Sequence, residues 1–151
     1  EELDLRTNII FELRGLENLV NLKKLDCAYN KLTELPGLSG CRQVESVDLE
    51  QNGIIVLPDL SQLKRLKRLN CRENRLNSVE GLQLLPALEE LFLAGNEISA
   101  EKWRAFKTLH KLNVKCDLYE STLPAIPGTG ITLSPPTASM MLSATPAAPT
   151  K

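Results

Sequence analysis

The 151-residue chain carries 18 Lys or Arg against 19 Asp or Glu, a net charge of −1, with 42% hydrophobic and 25% charged residues. That is an ordinary globular composition. It lacks the basic excess of a dedicated nucleic-acid binder, the run of roughly 18 apolar residues of a membrane span and the every-third Gly of collagen. Aromatic residues make up 4% and there is one His, a thin supply for a catalytic pocket, whereas 29 residues are Leu, an excess that points to internal repeats.

The first element in the chain already shows the repeat. Leu3-x-Leu5 leads to Asn8, and the same frame, apolar-x-apolar-x-x-Asn, returns as Leu25-x-Cys27 before Asn30, Val47-x-Leu49 before Asn52, Leu69-x-Cys71 before Asn74 and Leu91-x-Leu93 before Asn96. The five Asn residues are spaced by 22 each time. After each of the first four, apolar residues occupy +2, +5, +8, +11 and +14, from Ile10, Leu13, Leu16, Leu19 and Leu22 to Leu76, Val79, Leu82, Leu85 and Leu88. Apolar-x-apolar has the period of a short strand. The three-residue spacing is too tight for a regular α-helix and suits a 3₁₀ or extended turn. One such unit cannot bury its apolar side alone, so neighbours stack and share a core. The strands then align as a parallel sheet on a concave side, with the turns on the convex side. Asn8, Asn30, Asn52, Asn74 and Asn96 are expected to point inward as a structural ladder, bonding loop backbone that would otherwise be buried and unpaired.

This pattern resembles the leucine-rich-repeat family, over residues 1–117 and in its 22-residue class. The segments Ile10–Leu25 and Leu76–Leu91 are the most similar to that class, whose members include a regulatory subunit of protein phosphatase 1 and a light chain of axonemal dynein. Cys27 and Cys71 in place of a strand Leu, and Leu35-Pro36 and Leu57-Pro58, are also similar to bacterial and protist repeats. The resemblance implies an α/β fold, a right-handed curved leucine-rich-repeat solenoid with a parallel concave sheet and an irregular, 3₁₀-rich convex side. It implies a non-enzymatic protein–protein interaction scaffold, placed in a larger intracellular assembly. The alternatives are a structural part locked into a complex such as an axoneme, and a targeting module of an enzyme whose catalytic domain lies elsewhere.

Toward the C-terminus the rhythm changes. Ser99 is an N-cap candidate with Glu101 in the first turn, and Trp103, Phe106 and Leu109 share a helical stripe, so a capping helix is expected near 99–110. A last strand is expected around Leu112–Val114, with Asp117 at the Asn position. Residues 118–151 hold six Pro, ten Ser or Thr and two charges, Glu120 and Lys151. They read as an extended Pro/Ser/Thr-rich tail, with Ser134-Pro135 and Thr145-Pro146 as weak phosphorylation motifs. The other end begins inside a strand at Glu1-Glu2-Leu3, which reads as an excerpt of a longer chain.

Catalytic and metal chemistry find little support. Cys27 and Cys71 share a core column two repeats apart, roughly 10 Å at the usual strand spacing, too far for a disulfide. Cys41 takes a turn-side Leu position, and Cys116 is expected to be the most exposed thiol. There is no C-x-x-C pair, and one His cannot complete a zinc site with scattered thiols. His110 has no nucleophile that the repeat would bring close, and no phosphate-binding Gly loop is present. The expectation is no enzyme, no cofactor and no metal, a protein partner rather than nucleic acid or membrane, and a cytoplasmic setting, cytoskeletal or ciliary included, since free thiols favour a reducing compartment.

The remaining candidates are the outward columns of the sheet. One holds Asp4, Asp26, Asp48, Asn70, Phe92 and Asn113, and its stacked acids should repel one another. Others hold Arg6, Glu50, Arg72 and Lys115, or Tyr29 and Cys116, or Arg68 and Lys111. Phe92 is expected to stand exposed beside Ala94 and Gly95, with Tyr29 as a second exposed ring. Arginine beside exposed aromatic residues is a hot-spot composition. The expected partner-binding set is therefore Arg6, Asp26, Tyr29, Asp48, Glu50, Arg68, Arg72 and Phe92.

Overall fold

The computed structural model describes residues 1–110 and 114–118. Six short strands, β1 (Glu2–Asp4), β2 (Lys24–Asp26), β3 (Ser46–Asp48), β4 (Arg68–Asn70), β5 (Glu90–Phe92) and β6 (Lys115–Cys116), form one parallel sheet in chain order. Between β1 and β5 the register advances by one repeat per strand, Leu3 against Leu25, Leu25 against Val47, Val47 against Leu69 and Leu69 against Leu91. The 22-residue period is therefore the register itself. Inward strand residues and the three-spaced turn residues close on one continuous core from Leu16 to Leu118. None of the turn positions +2 to +14 is exposed. In the first repeat Leu3, Leu5, Ile10, Leu13 and Leu19 are only partly buried, because no repeat stacks on that side.

The return path depends on local chemistry. Gly15, Gly37 and Gly81, each seven residues after a ladder Asn, adopt positive φ and open the 3₁₀ turns Leu16–Asn18, Leu38–Gly40 and Leu82–Leu84. Only Gly reaches that region without steric cost. The third repeat has Asp59 there, its Oδ1 accepts from Ser61 N at 2.8 Å, and no 3₁₀ turn forms. Ion pairs between neighbouring repeats, Glu2 with Lys24 at 2.6 Å and Glu45 with Lys67 at 3.0 Å, line the strand starts. Each is exposed and contributes less than about 1 kcal/mol.

The Asn side chains tie each repeat to the one before. Asn74 donates from Nδ2 to Cys71 O and Arg72 O in its own repeat and to Leu49 O in the previous one, at 3.3, 3.0 and 2.8 Å. Its Oδ1 accepts from Ile54 N at 3.0 Å. Asn30, Asn52 and Asn96 repeat the cross-repeat pair, accepting from Ile10 N, Leu32 N and Leu76 N and donating to Leu5 O, Cys27 O and Cys71 O. Asn8 has no earlier repeat to reach; it is exposed and donates only to Leu5 O and Arg6 O.

The final repeat corrects the expected register. Helix α1 (Ala100–His110) is present, with Ser99 Oγ accepting from Lys102 N at 3.3 Å and Trp103 and Phe106 buried, their rings 5.9 Å apart. The strand after it is not at 112–114: β6 pairs Lys115 with Glu90 and Cys116 with Leu91. The helical insertion lengthens the last repeat from 22 to 25 residues, the distance from Leu91 to its partner Cys116. Asp117 therefore comes after Phe92 in the outward column rather than standing at the Asn position. Lys115 and Cys116 likewise leave their expected columns. Lys111, Leu112 and Asn113, and the tail residues 119–151, lie outside the described residues, as does the side chain of Leu109.

Candidate functional site

The outward sheet columns gather every residue of the expected partner-binding set on one face. The middle column has a structural task first. Asp4, Asp26 and Asp48 each accept, through Oδ1, the backbone N–H two residues on, from Arg6, Ala28 and Glu50 at 2.9, 3.0 and 3.0 Å. Asn70 does the same for Arg72 at 3.2 Å. This short-side-chain turn fixes how the chain leaves each strand. The acids are also neutralised rather than left to repel, since Arg6 lies 3.6 Å from Asp26 and Asn70 Nδ2 donates to both Asp48 oxygens at 3.1 and 3.0 Å.

At the fifth strand the column holds Phe92, which has no acceptor. Asp117 supplies it from the next repeat, its Oδ1 accepting from Leu93 N at 2.6 Å and Ala94 N at 3.3 Å. Its Oδ2 accepts from Arg72 Nε at 2.6 Å. That contact, helped by nearby carboxylates, raises the Arg72 guanidinium further above its ordinary range. Arg68 pairs with Glu90 and, with Lys115, holds that carboxyl below its usual range.

Phe92 is not exposed as its strand position implies. It is 9% exposed, with the Arg68 and Arg72 guanidinium carbons 4.5 and 4.4 Å from the ring centre. The reason is cross-strand geometry. Phe92 is the register partner of Asn70, so Arg68 and Arg72 are its two diagonal neighbours on the same face, within reach of long side chains. Each cation over a ring contributes about 0.5–2 kcal/mol, more as water is excluded. A smaller stack stands at the other end of the face. Arg6 lies 5.0 Å from the Tyr29 ring centre, and Tyr29 Oη donates to Glu50 Oε1 at 3.3 Å. Asn70 Nδ2 also reaches Glu50 Oε2 at 3.1 Å. Asn70, 2% exposed, and Asp117 are thus the organising residues that the strand pattern alone did not single out.

The thiols belong to the core. Cys27, Cys41 and Cys71 are buried, and Cys41 Sγ donates to Leu16 O at 3.1 Å across repeats. Cys116 is half-buried in the inward column, less open than expected. Burial, with Asp26 and Asp48 nearby, pushes the Cys27 thiol up to about 12, and burial pushes Cys71 further. An unfolded thiol ionises near 8.5, so above that pH the unfolded chain binds fewer protons and stability falls as pH rises. The expected loss is about 1.4 kcal/mol per pH unit for each buried thiol. Urea midpoints between pH 9 and 11 should show a shallower decline in Cys27→Ala than in the wild type; equal slopes would contradict this burial.

Among the described residues no group of three or more His, Cys, Asp or Glu is placed to hold a metal, and no helix is long and apolar enough to cross a membrane.

No protein-family model matches the sequence, and no curated protein matches it. Solved structures do. A leucine-rich-repeat protein of Leptospira interrogans is similar over 77% of this chain and 30% of its own, at 29% identity and a TM-score of 0.70. The functional domain of InlJ from Listeria monocytogenes, which includes a cysteine ladder, is similar over 65% of this chain and 21% of its own, at 30% identity and a TM-score of 0.61. The leucine-rich-repeat ectodomain of the receptor kinase SOBIR1 from Arabidopsis thaliana is similar over 64% and 57%, at 29% identity and a TM-score of 0.56. This chain spans less than two thirds of each of them.

Proposed function

This chain is a leucine-rich-repeat protein, and we propose that it is a non-enzymatic scaffold that binds a protein partner through the outward face of its sheet. The observation that carries this reading is the Arg68–Phe92–Arg72 stack. Two arginines are held over one ring by Glu90 and Asp117, so their remaining N–H donors are oriented in advance. Ordered arginine and aromatic side chains lose little freedom on binding, which is what makes such groups anchors. The second stack, Tyr29 with Arg6 and Glu50, adds a separate contact region, with Asp26 and Asp48 between. Free thiols at Cys27, Cys41 and Cys71 favour a reducing, intracellular setting for the scaffold. Its resemblance to the phosphatase-regulator and dynein-light-chain class favours work within a larger assembly.

The test is capture of partners by the full chain and by charge-reversed forms of equal melting temperature. Arg68→Glu should weaken capture at least about tenfold, the effect of losing roughly 1.4 kcal/mol at an anchor. Lys64→Glu, on the turn side, should leave it unchanged. Loss with Lys64→Glu and normal capture with Arg68→Glu would move the binding face to the turns.

A further inference from the structure

The flank that the chain crosses just after each ladder Asn is apolar in alternate repeats. Side chains one, three and four residues past Asn stand outside the core there. In the first repeat these include Ile9 and Phe11, 75% and 67% exposed; in the third they include Ile55 and Val56, 43% and 63% exposed. The second repeat, between them, presents Thr33. One shallow groove runs from Phe11 past Thr33 to Gly53, and another from Thr33 past Ile55 and Val56 to Pro58. Four large apolar side chains on one flank form a patch that a monomer normally covers.

We propose that the chain's own segment Leu123-Pro-Ala-Ile-Pro127 covers it, with Leu123 on Ile55 and Val56 and Ile126 on Phe11 and Ile9. Three observations carry this. The first is where the chain goes after β6. Cys116 pairs with Leu91, so Leu118, buried, takes the place of Leu93, and the chain beyond Leu118 is directed off the sheet toward the flank that carries the patch. The second is reach. From the sixth repeat to the third is three strand spacings, about 14 Å. The five residues from Leu118 to Leu123, extended, cover about 16 Å. The third is spacing. Pro124 and Pro127 restrict Leu123 and Ile126 to extended or polyproline conformations. In polyproline geometry residues three apart share a face about 9.3 Å apart. Phe11 and Ile55 belong to repeats two strands apart, about 9.6 Å. The two apolar side chains of the segment thus match the period of the two apolar repeats, and the polar Thr33 falls between them. Glu120 and Lys151 are the only charges after Leu118, so little charge is desolvated by docking.

The test is methyl-labelled NMR of the full chain at low concentration. Cross-peaks are expected from the Leu123 methyls to Ile55 and Val56, and from Ile126 to the Phe11 ring. Leu123→Asp/Ile126→Asp, which alters no residue of the repeat core, should abolish them and shift the Ile9, Ile55 and Val56 methyls. Ile131→Asp/Leu133→Asp should leave them intact. Absent cross-peaks, cross-peaks that persist in Leu123→Asp/Ile126→Asp, or contacts from residues 131–133 instead would each overturn the assignment. So would cross-peaks that strengthen with protein concentration, because the occupant would then be a second copy.

Discussion

Asn74→Ala should lower the unfolding free energy by about 3 kcal/mol, the cost of leaving buried backbone groups without partners. The side chain makes four hydrogen bonds, two of them to the preceding repeat, and is 6% exposed. Truncation to Ala leaves Ile54 N and Leu49 O, one on each side of the repeat junction, with no protein partner and little access to water. The effect should grade along the ladder. Asn52, half-buried with the same cross-repeat pair, should cost about 1–3 kcal/mol. Asn8, exposed and bonded only within its own repeat, should cost less than about 0.5 kcal/mol, as surface changes do. Urea denaturation of the three variants checks this ranking. An Asn8→Ala change as costly as Asn74→Ala would mean that the bonds between repeats are not what stabilises the stack.

Gly40→Ala should cost about 2–3 kcal/mol through overpacking between turns. A Cβ on Gly40 would stand 2.6 Å from Glu17 Cα and 2.9 Å from Glu17 O. Both atoms belong to the backbone of the neighbouring 3₁₀ turn, so the clash is relieved only by parting the first and second repeats. Gly53→Ala is the control. Its Cβ would lie 3.5 Å from Leu32 O and 3.7 Å from Thr33 Cγ2, ordinary contact distances. That change should be neutral or slightly stabilising, because Ala restricts the unfolded chain. Equal melting temperatures for wild type and Gly40→Ala would show that the turns have room to separate.

The division between what is legible in the residues and what is not comes down to range. Leu25, Asn30 and Leu32 announce strand, ladder and turn because those roles depend on neighbours at a fixed 22-residue offset, which the chain repeats. The core, the parallel order and the register from β1 to β5 are therefore written in the amino-acid sequence. The end of the stack is not, because α1 inserts residues of another period. Only the folded sheet shows Cys116 beside Leu91 and Asp117 beyond Phe92. Phe92 itself marks the same boundary. Strand alternation assigns it outward, and it does point outward. Whether an outward ring is exposed depends on the side chains across the strand, and here Arg68 and Arg72 fold over it while Asp117 and Glu90 hold them there. Direction is a property of the local period; burial is a property of what three strands bring together.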